Sequence, residues 1–182
     1  MPNTAKSLAQ TDVSAAELGA ALIAECERKL FAEYSPRLGK CLGLLSEEEL
    51  WRRPNDATPS AGNLVLHLCG NVRQWIGAGL GGEPDTRNRS REFEERGPVA
   101  IDALLALLDE TLGAARECIR AQTAERLLEM RAVQGFHKSR LAILIHVVEH
   151  FAYHLGQISR IVKETKGIDL GYYDGFDLNA KS

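Results

Sequence analysis

Three of the five histidines in this 182-residue chain, His146, His150 and His154, stand four residues apart. In a helix, positions i, i+4 and i+8 fall on one face, so the three imidazoles line a single stripe. Ile143, Gln157 and Ile161 continue that stripe and point it inward. Two imidazoles one helical turn apart supply half of a transition-metal site. The other half lies in residues 61–80, where Asn63, His67, Asn71 and Gln74 recur every three or four residues on an otherwise apolar segment. Burying three imidazoles without partners is costly, and a shared divalent ion satisfies them together. Three neutral nitrogen donors plus water is the open arrangement of a catalytic zinc site. Nickel, iron(II) and cobalt accept the same donors, so the spacing does not select the metal.

His146 competes for a place in this set. His146-Val147-Val148-Glu149-His150 matches the H-x-x-E-H pattern of inverted zinc metallopeptidases, in which both histidines bind zinc and the glutamate is the base. Those enzymes need a distant acidic third ligand, whereas the polar stripe of residues 61–80 offers a histidine and amides. The pairing of His150 and His154 with His67 is therefore preferred. His146, Asn63, Asn71, Gln74 and Gln157 become neighbours that orient ligands or line a pocket, and Glu149 falls off the stripe into a salt bridge or hydrogen bond.

The elements that must position these groups are helical. Ser14 and Glu17 have capping-box spacing, and Leu18, Leu22, Ile23, Cys26, Leu30 and Phe31 recur at helical intervals. One long helix, bent or interrupted at Pro36, is expected to end near Ser46. Pro54 and Pro59 make the next segment a connection, and Trp51 within it is expected to pack over one end of the fold. A second helix runs from Ala61 to about Leu80, with Trp75 in its core face. The glycines at 77, 79, 81 and 82 end it. A long polar loop follows, in which Arg87 and Arg89 could bind an anionic cosubstrate. Pro98 opens a third helix, to about Ala121. The segment 125–138 reads as a helical turn and an extended piece, with no strand pattern of any length. Ser139 caps a fourth helix that ends at Gly167, and Tyr172, Tyr173 and Phe176 suggest a tail that packs back. Four long helices without strands or repeats read as an all-α four-helix bundle. The expected organisation is a flexible lead-in, 1–13, and one domain, 14–182.

Composition narrows the function. A net charge of −3 argues against nucleic acid and anionic membrane surfaces as partners. With 45% hydrophobic residues, the chain can fold on its own core. Residues 1–10 do not resemble a signal peptide, and no stretch is apolar enough to span a membrane. Cys26, Cys41, Cys69 and Cys118 form no C-x-x-C pair. Reduced thiols in a cytoplasmic protein are expected.

The segment from Ser60 through His67 to Trp75, together with His150-Phe-Ala-Tyr-His154-Leu-Gly-Gln157, resembles the DinB/YfiT-like superfamily. That resemblance extends from the first helix to about Tyr173. It implies an up-down-down-up bundle with a long crossover between the second and third helices. It also implies a divalent metal (Zn, Ni or Fe) on His67, His150 and His154. Relatives include S-transferases that use bacillithiol or mycothiol, and a mycothiol-dependent isomerase. A metal-dependent thiol S-transferase, or a related small hydrolase, acting on a small-molecule substrate with a low-molecular-weight thiol cosubstrate is thus the implied function, in a homodimer. The alternative is a metal-binding dimeric bundle without catalysis, serving as a sensor or binding module.

Overall fold

Four serines open helices, and each accepts a backbone N–H of the first turn on its hydroxyl: Ser14, Ser46, Ser60 and Ser139. Ser14, Ser46 and Ser60 complete capping boxes with Glu17, Glu49 and Asn63. The computed structural model describes residues 14–97 and 99–181. The expected lead-in and the expected helix start at Pro98 lie outside these residues.

The element order is α1 (Ala15–Glu27), a π-helical stretch (Arg28–Tyr34), α2 (Ser35–Gly43), α3 (Glu47–Trp51), α4 (Ala61–Val72), a second π-helical stretch (Arg73–Gly81), α5 (Arg89–Glu94), α6 (Ile101–Arg120), a 3-10 turn (Ala124–Arg126), β1 (Met130–Val133), β2 (Phe136–Ser139) and α7 (Arg140–Lys166). The first long helix neither breaks nor simply kinks at Pro36. The imino acid lies within the first two positions of α2 and cannot donate to the preceding turn. That turn widens, and Ser35 N–H bonds Leu30 carbonyl.

The fold is mostly helical, and α4 with its π-helical continuation packs against both α6 and α7. Leu38, Leu42, Leu64, Leu68, Leu104, Ile119, Ile143, Phe151 and Ile158 are fully buried or nearly so, in one core cluster. The all-α expectation is corrected by a small antiparallel hairpin pairing Met130 with Ser139 and Val133 with Phe136. Its turn, Gln134-Gly135, has φ of 49° and 78°, the left-handed pair a two-residue hairpin requires. Both strands are largely exposed, so neither shows apolar alternation. The connection after α2 holds the short helix α3, and the expected long loop after residue 82 holds α5. Trp51 packs its ring under Gly62 and Gly97 and donates Nε1 to Val99 carbonyl at 3.0 Å, as a structural end piece would.

One buried cation ties the ends of several elements together. Arg140, at the start of α7, is only 2% exposed. It donates to Leu80 carbonyl (3.1 Å), Gln122 Oε1 (2.8 Å) and Glu129 Oε2 (2.8 Å). Removing it strands buried acceptors, each of which costs roughly 1–3 kcal/mol when left unpaired. Arg140→Ala should lower the unfolding free energy in urea by about 2–3 kcal/mol, while Lys163→Ala, which breaks an exposed pair with Asp169, should change it by less than about 1 kcal/mol. Equal losses would show that Arg140 is not a structural tie.

Candidate metal centre

The helix starts set the register of the histidines. Ser60 fixes the start of α4, so Asn63, His67 and Asn71 share one buried face, and Ser139 does the same for α7. Where α4 and α7 pack, His67, His150 and His154 converge, one ring nitrogen from each lying within 4.8 Å of the others. His67 Nε2 stands 3.0 Å from His150 Nε2. The ring centroids of His67 and His154 are 4.8 Å apart, those of His150 and His154 4.5 Å.

Hydrogen bonds at the outer nitrogens set the tautomers. His67 Nδ1 lies 2.8 Å from Glu92 Oε2. Burial pushes the Glu92 carboxyl up, but its bonds to His67 and Arg87 outweigh this and hold it below the usual range. An ionised carboxylate only accepts, so Nδ1 carries the proton and Nε2 keeps its lone pair. Arg87 Nη2 also lies 3.1 Å from Nδ1. A protonated nitrogen cannot accept, so that N–H goes to Glu92 Oε2 at 2.9 Å. His154 Nδ1 is 2.7 Å from Gln157 Oε1. With the amide oxygen as acceptor, the His154 Nε2 lone pair is likewise left free.

Burial, reinforced by His154, His67 and His146, pushes His150 down to about 3. Burial also lowers His154 and His146. His150 and His154 are therefore neutral donors at pH 7. Facing lone pairs at the observed His67–His150 separation repel unless a proton or a cation bridges them, and among the described residues His150 Nδ1 is buried without a partner. Three neutral imidazole nitrogens fit a divalent, borderline-soft ion.

The remaining site residues anticipated from the sequence divide. His146 stands apart from the nitrogen cluster, stacked on Trp75 at 3.6 Å and within 3.3 Å of Asn71 Nδ2. Glu149 is exposed, and among the described residues it makes neither the salt bridge nor the hydrogen bond expected for it. Asn63 holds the end of α5, donating to Glu92 and Glu95 carbonyls at 3.0 and 2.9 Å. Gln74 bonds Asp85 and Arg87. Arg87 is turned inward, its side chain 4% exposed and its fork engaged with Glu92 and Gln74, so it supports His67 rather than offering a free fork to a cosubstrate. Arg89 stacks over Phe93 at 4.9 Å, and Phe93 packs on His67 at 4.7 Å.

Glu92 and Phe93 were not singled out from the sequence. The available signal was Gly70, one turn beyond His67. A Cβ there would overlap the Glu92 carboxylate, so only glycine lets α5 come this close. Gly70→Ala and Glu92→Gln should each weaken metal affinity about 10- to 100-fold in competition with a chromophoric chelator. Unchanged affinity would exclude Glu92 as the support of His67.

The metal-stripped protein should also be acid-sensitive. His150 has a folded pKa near 3, below its ordinary 6.5, so the unfolded chain takes up the proton first. Stability is then undiminished above about pH 6.5 and falls as pH drops from there towards 3. Urea midpoints in EDTA should show this loss, reduced in His150→Leu. An identical pH slope in the variant would refute it.

Comparison with known proteins identifies the fold and the family. The crystal structure at 2.01 Å resolution of a DinB-like protein from Bacillus cereus ATCC 10987 superposes with a TM-score of 0.61. Identity is 16%, covering 77% of this chain and 90% of that one, so the likeness establishes the fold. No curated protein matches the chain. The sequence pattern of a family described as mycothiol-S-transferase matches residues 28–167, from the first π-helical stretch through the end of α7. The chain therefore belongs to the mycothiol-S-transferase family, within the DinB/YfiT-like superfamily.

Proposed function

We propose that the protein is a divalent-metal-dependent thiol S-transferase, with His67, His150 and His154 as the metal ligands. In this reading the long helices form an up-down-down-up four-helix bundle, with residues 81–97 as the crossover. The observation that carries the proposal is the convergence of three imidazole nitrogens within 4.8 Å, two of them held by Glu92 and Gln157 with their lone pairs inward. Among the described residues the cluster contains three such side chains and no fourth histidine, cysteine or carboxylate. That supports a coordination position left for a small molecule, and so favours catalysis over a closed sensing or structural site.

A bound divalent ion would supply Lewis acidity, keeping a coordinated thiol as its thiolate at neutral pH. The chain's residues do the rest. Glu92 and Gln157 fix two imidazole planes, so the donors need not reorganise. Depressed proton affinity leaves His150 unprotonated at neutral pH, with a lone pair ready for the ion. Trp75, stacked on His146, and Phe93, packed on His67, exclude water from two sides.

The nucleophile is expected to be external. Burial pushes the Cys69 thiol up to about 11 and also raises Cys26 and Cys118, so none of these is an activated thiolate. A low-molecular-weight thiol such as mycothiol or bacillithiol fills that role, and a small-molecule electrophile accepts the sulfur. We place the enzyme in the cytoplasm as a homodimer. All four cysteines are free, which suits a reducing compartment, and among the described residues no helix is long and apolar enough to cross a membrane.

Metal analysis and a transfer assay test the proposal together. His67→Ala and His154→Ala should lose bound metal and at least about 100-fold of thiol transfer from mycothiol to 1-chloro-2,4-dinitrobenzene, while His146→Ala keeps its metal. Transfer that survives complete metal removal would defeat the mechanism. Metal loss in His146→Ala, with none in His154→Ala, would move the site to the H-x-x-E-H motif.

A further inference from the structure

Arginines gather beside the histidine cluster. A cleft of about 590 Å³ lies between residues 52–59 and the last turns of α7. Arg52, Arg53 and Arg160 line it, with Pro54, Leu64 and Ile161 as apolar wall. A second cleft of about 480 Å³ shares Arg53 and Pro59 with the first and adds Arg89, Phe93 and Arg96. Each touches the metal centre through one side chain. Gln157 lines the first and bonds His154 Nδ1 at 2.7 Å. Phe93 lines the second and packs on His67 at 4.7 Å. Five arginines face Asp56, Glu94 and Glu164 across the two clefts, a positive excess in a chain whose net charge is −3.

Of the five, Arg160 is neutralised by Glu164 at 2.7 Å, whereas Arg96 and Arg52 are bonded to uncharged acceptors, Phe93 carbonyl and the Thr165 hydroxyl. Arg53 lines both clefts. Its Nε bonds Thr58 carbonyl at 2.8 Å and its Nη2 bonds Asp56 carbonyl, which fixes the guanidinium plane and neutralises none of its charge. Its Nη1 has no partner among the described residues. Arg89 Cζ lies over the Phe93 ring, and among the described residues Arg89 has no ion pair. A fixed guanidinium and a stacked one, both without a carboxylate partner, are suited to a planar anion by charge and shape.

We propose that Arg53 and Arg89 bind a carboxylate of the acceptor substrate, whose apolar body lies against Pro54, Leu64 and Ile161 on the way to the histidine cluster. The acceptor class is thus an electrophilic small carboxylic acid. This assignment rests on reading the cluster as a transferase centre.

The test uses the full chain and a matched pair of electrophiles, 4-chloro-3-nitrobenzoate and its methyl ester, which differ in the anionic group. Binding is read by calorimetry in the absence of thiol, and transfer from mycothiol is read separately. The acid should bind about 10-fold more tightly than the ester. Arg53→Ala and Arg89→Ala should each remove most of that preference while leaving ester binding unchanged, and should raise the KM for the acid with kcat nearly constant. Arg53→Ala also loosens the 53–58 segment. Arg89→Ala breaks no hydrogen bond among the described residues, so it keeps the test decisive if the first variant misfolds. Equal binding of acid and ester, or a preference that survives both substitutions, overturns the proposal and leaves the transferase reading standing. If the acid preference is present and arginine-dependent but no transfer occurs with either compound, the carboxylate site is upheld and the transferase reading falls.

Discussion

The carboxylate of Glu92 is the contact on which the site depends. It is buried between α4 and α5, bonded to His67 on one side and to Arg87 on the other. Withdrawing a carboxylate and a guanidinium from water costs several kcal/mol per ion before their mutual attraction is counted. Such a pair therefore says little about stability and much about position. It fixes which nitrogen of His67 carries the proton, and so which one faces the other histidines. It also anchors α5, with Asn63 holding the carbonyls of Glu92 and Glu95.

The architecture around it is organised to bring that carboxylate in. Gly70 leaves the room a side chain would fill, and Asn88 caps α5 so that Glu92 falls on its inner side. The π-helical stretch after α4 carries Trp75 onto His146, and its indole N–H donates to Gln134 in the hairpin turn at 2.8 Å. The hairpin is thereby fastened beside the cluster. At the far end of the same stretch, Arg140 gathers the ends of α6 and the hairpin approach around α7. Helix packing alone would bring α4 and α7 together; these polar ties set their register.

On the proposed reading, binding and chemistry are assigned to different side chains. His150 and His154 present neutral donors because burial suppresses their protonation. The arginines that remain without acidic partners lie outside the cluster, where a substrate would first meet the protein. Arg87, which by its place in the sequence belongs with Arg89, has been drawn to the opposite role. Neighbours two residues apart on a turning chain point in different directions, one into the interior and one along the surface.

Much of this was legible in the sequence. The spacing of His150 and His154 against a buried stripe holding His67 identified the cluster, because helical periodicity is a local property and converts directly into a face. Ser14 and Ser139 located two helix starts for the same reason, and the inward aromatic Trp75 and the end-packing Trp51 followed from their segments, whereas Ser46, expected to end a helix, caps α3. What escaped was everything set by approach between distant elements. The hairpin carries no apolar alternation because Val133 is the one strand residue it buries. Nothing local distinguishes Glu92 from its acidic neighbours, and only the missing side chain of Gly70, twenty-two residues earlier, selects it. The separation of His146 from His150 and His154 is likewise tertiary. All three lie on one helical face, but His67 reaches only the last two, while Trp75 occupies the space in front of the first. Periodicity put four histidines within reach of one another; the packing of α4 on α7 chose three.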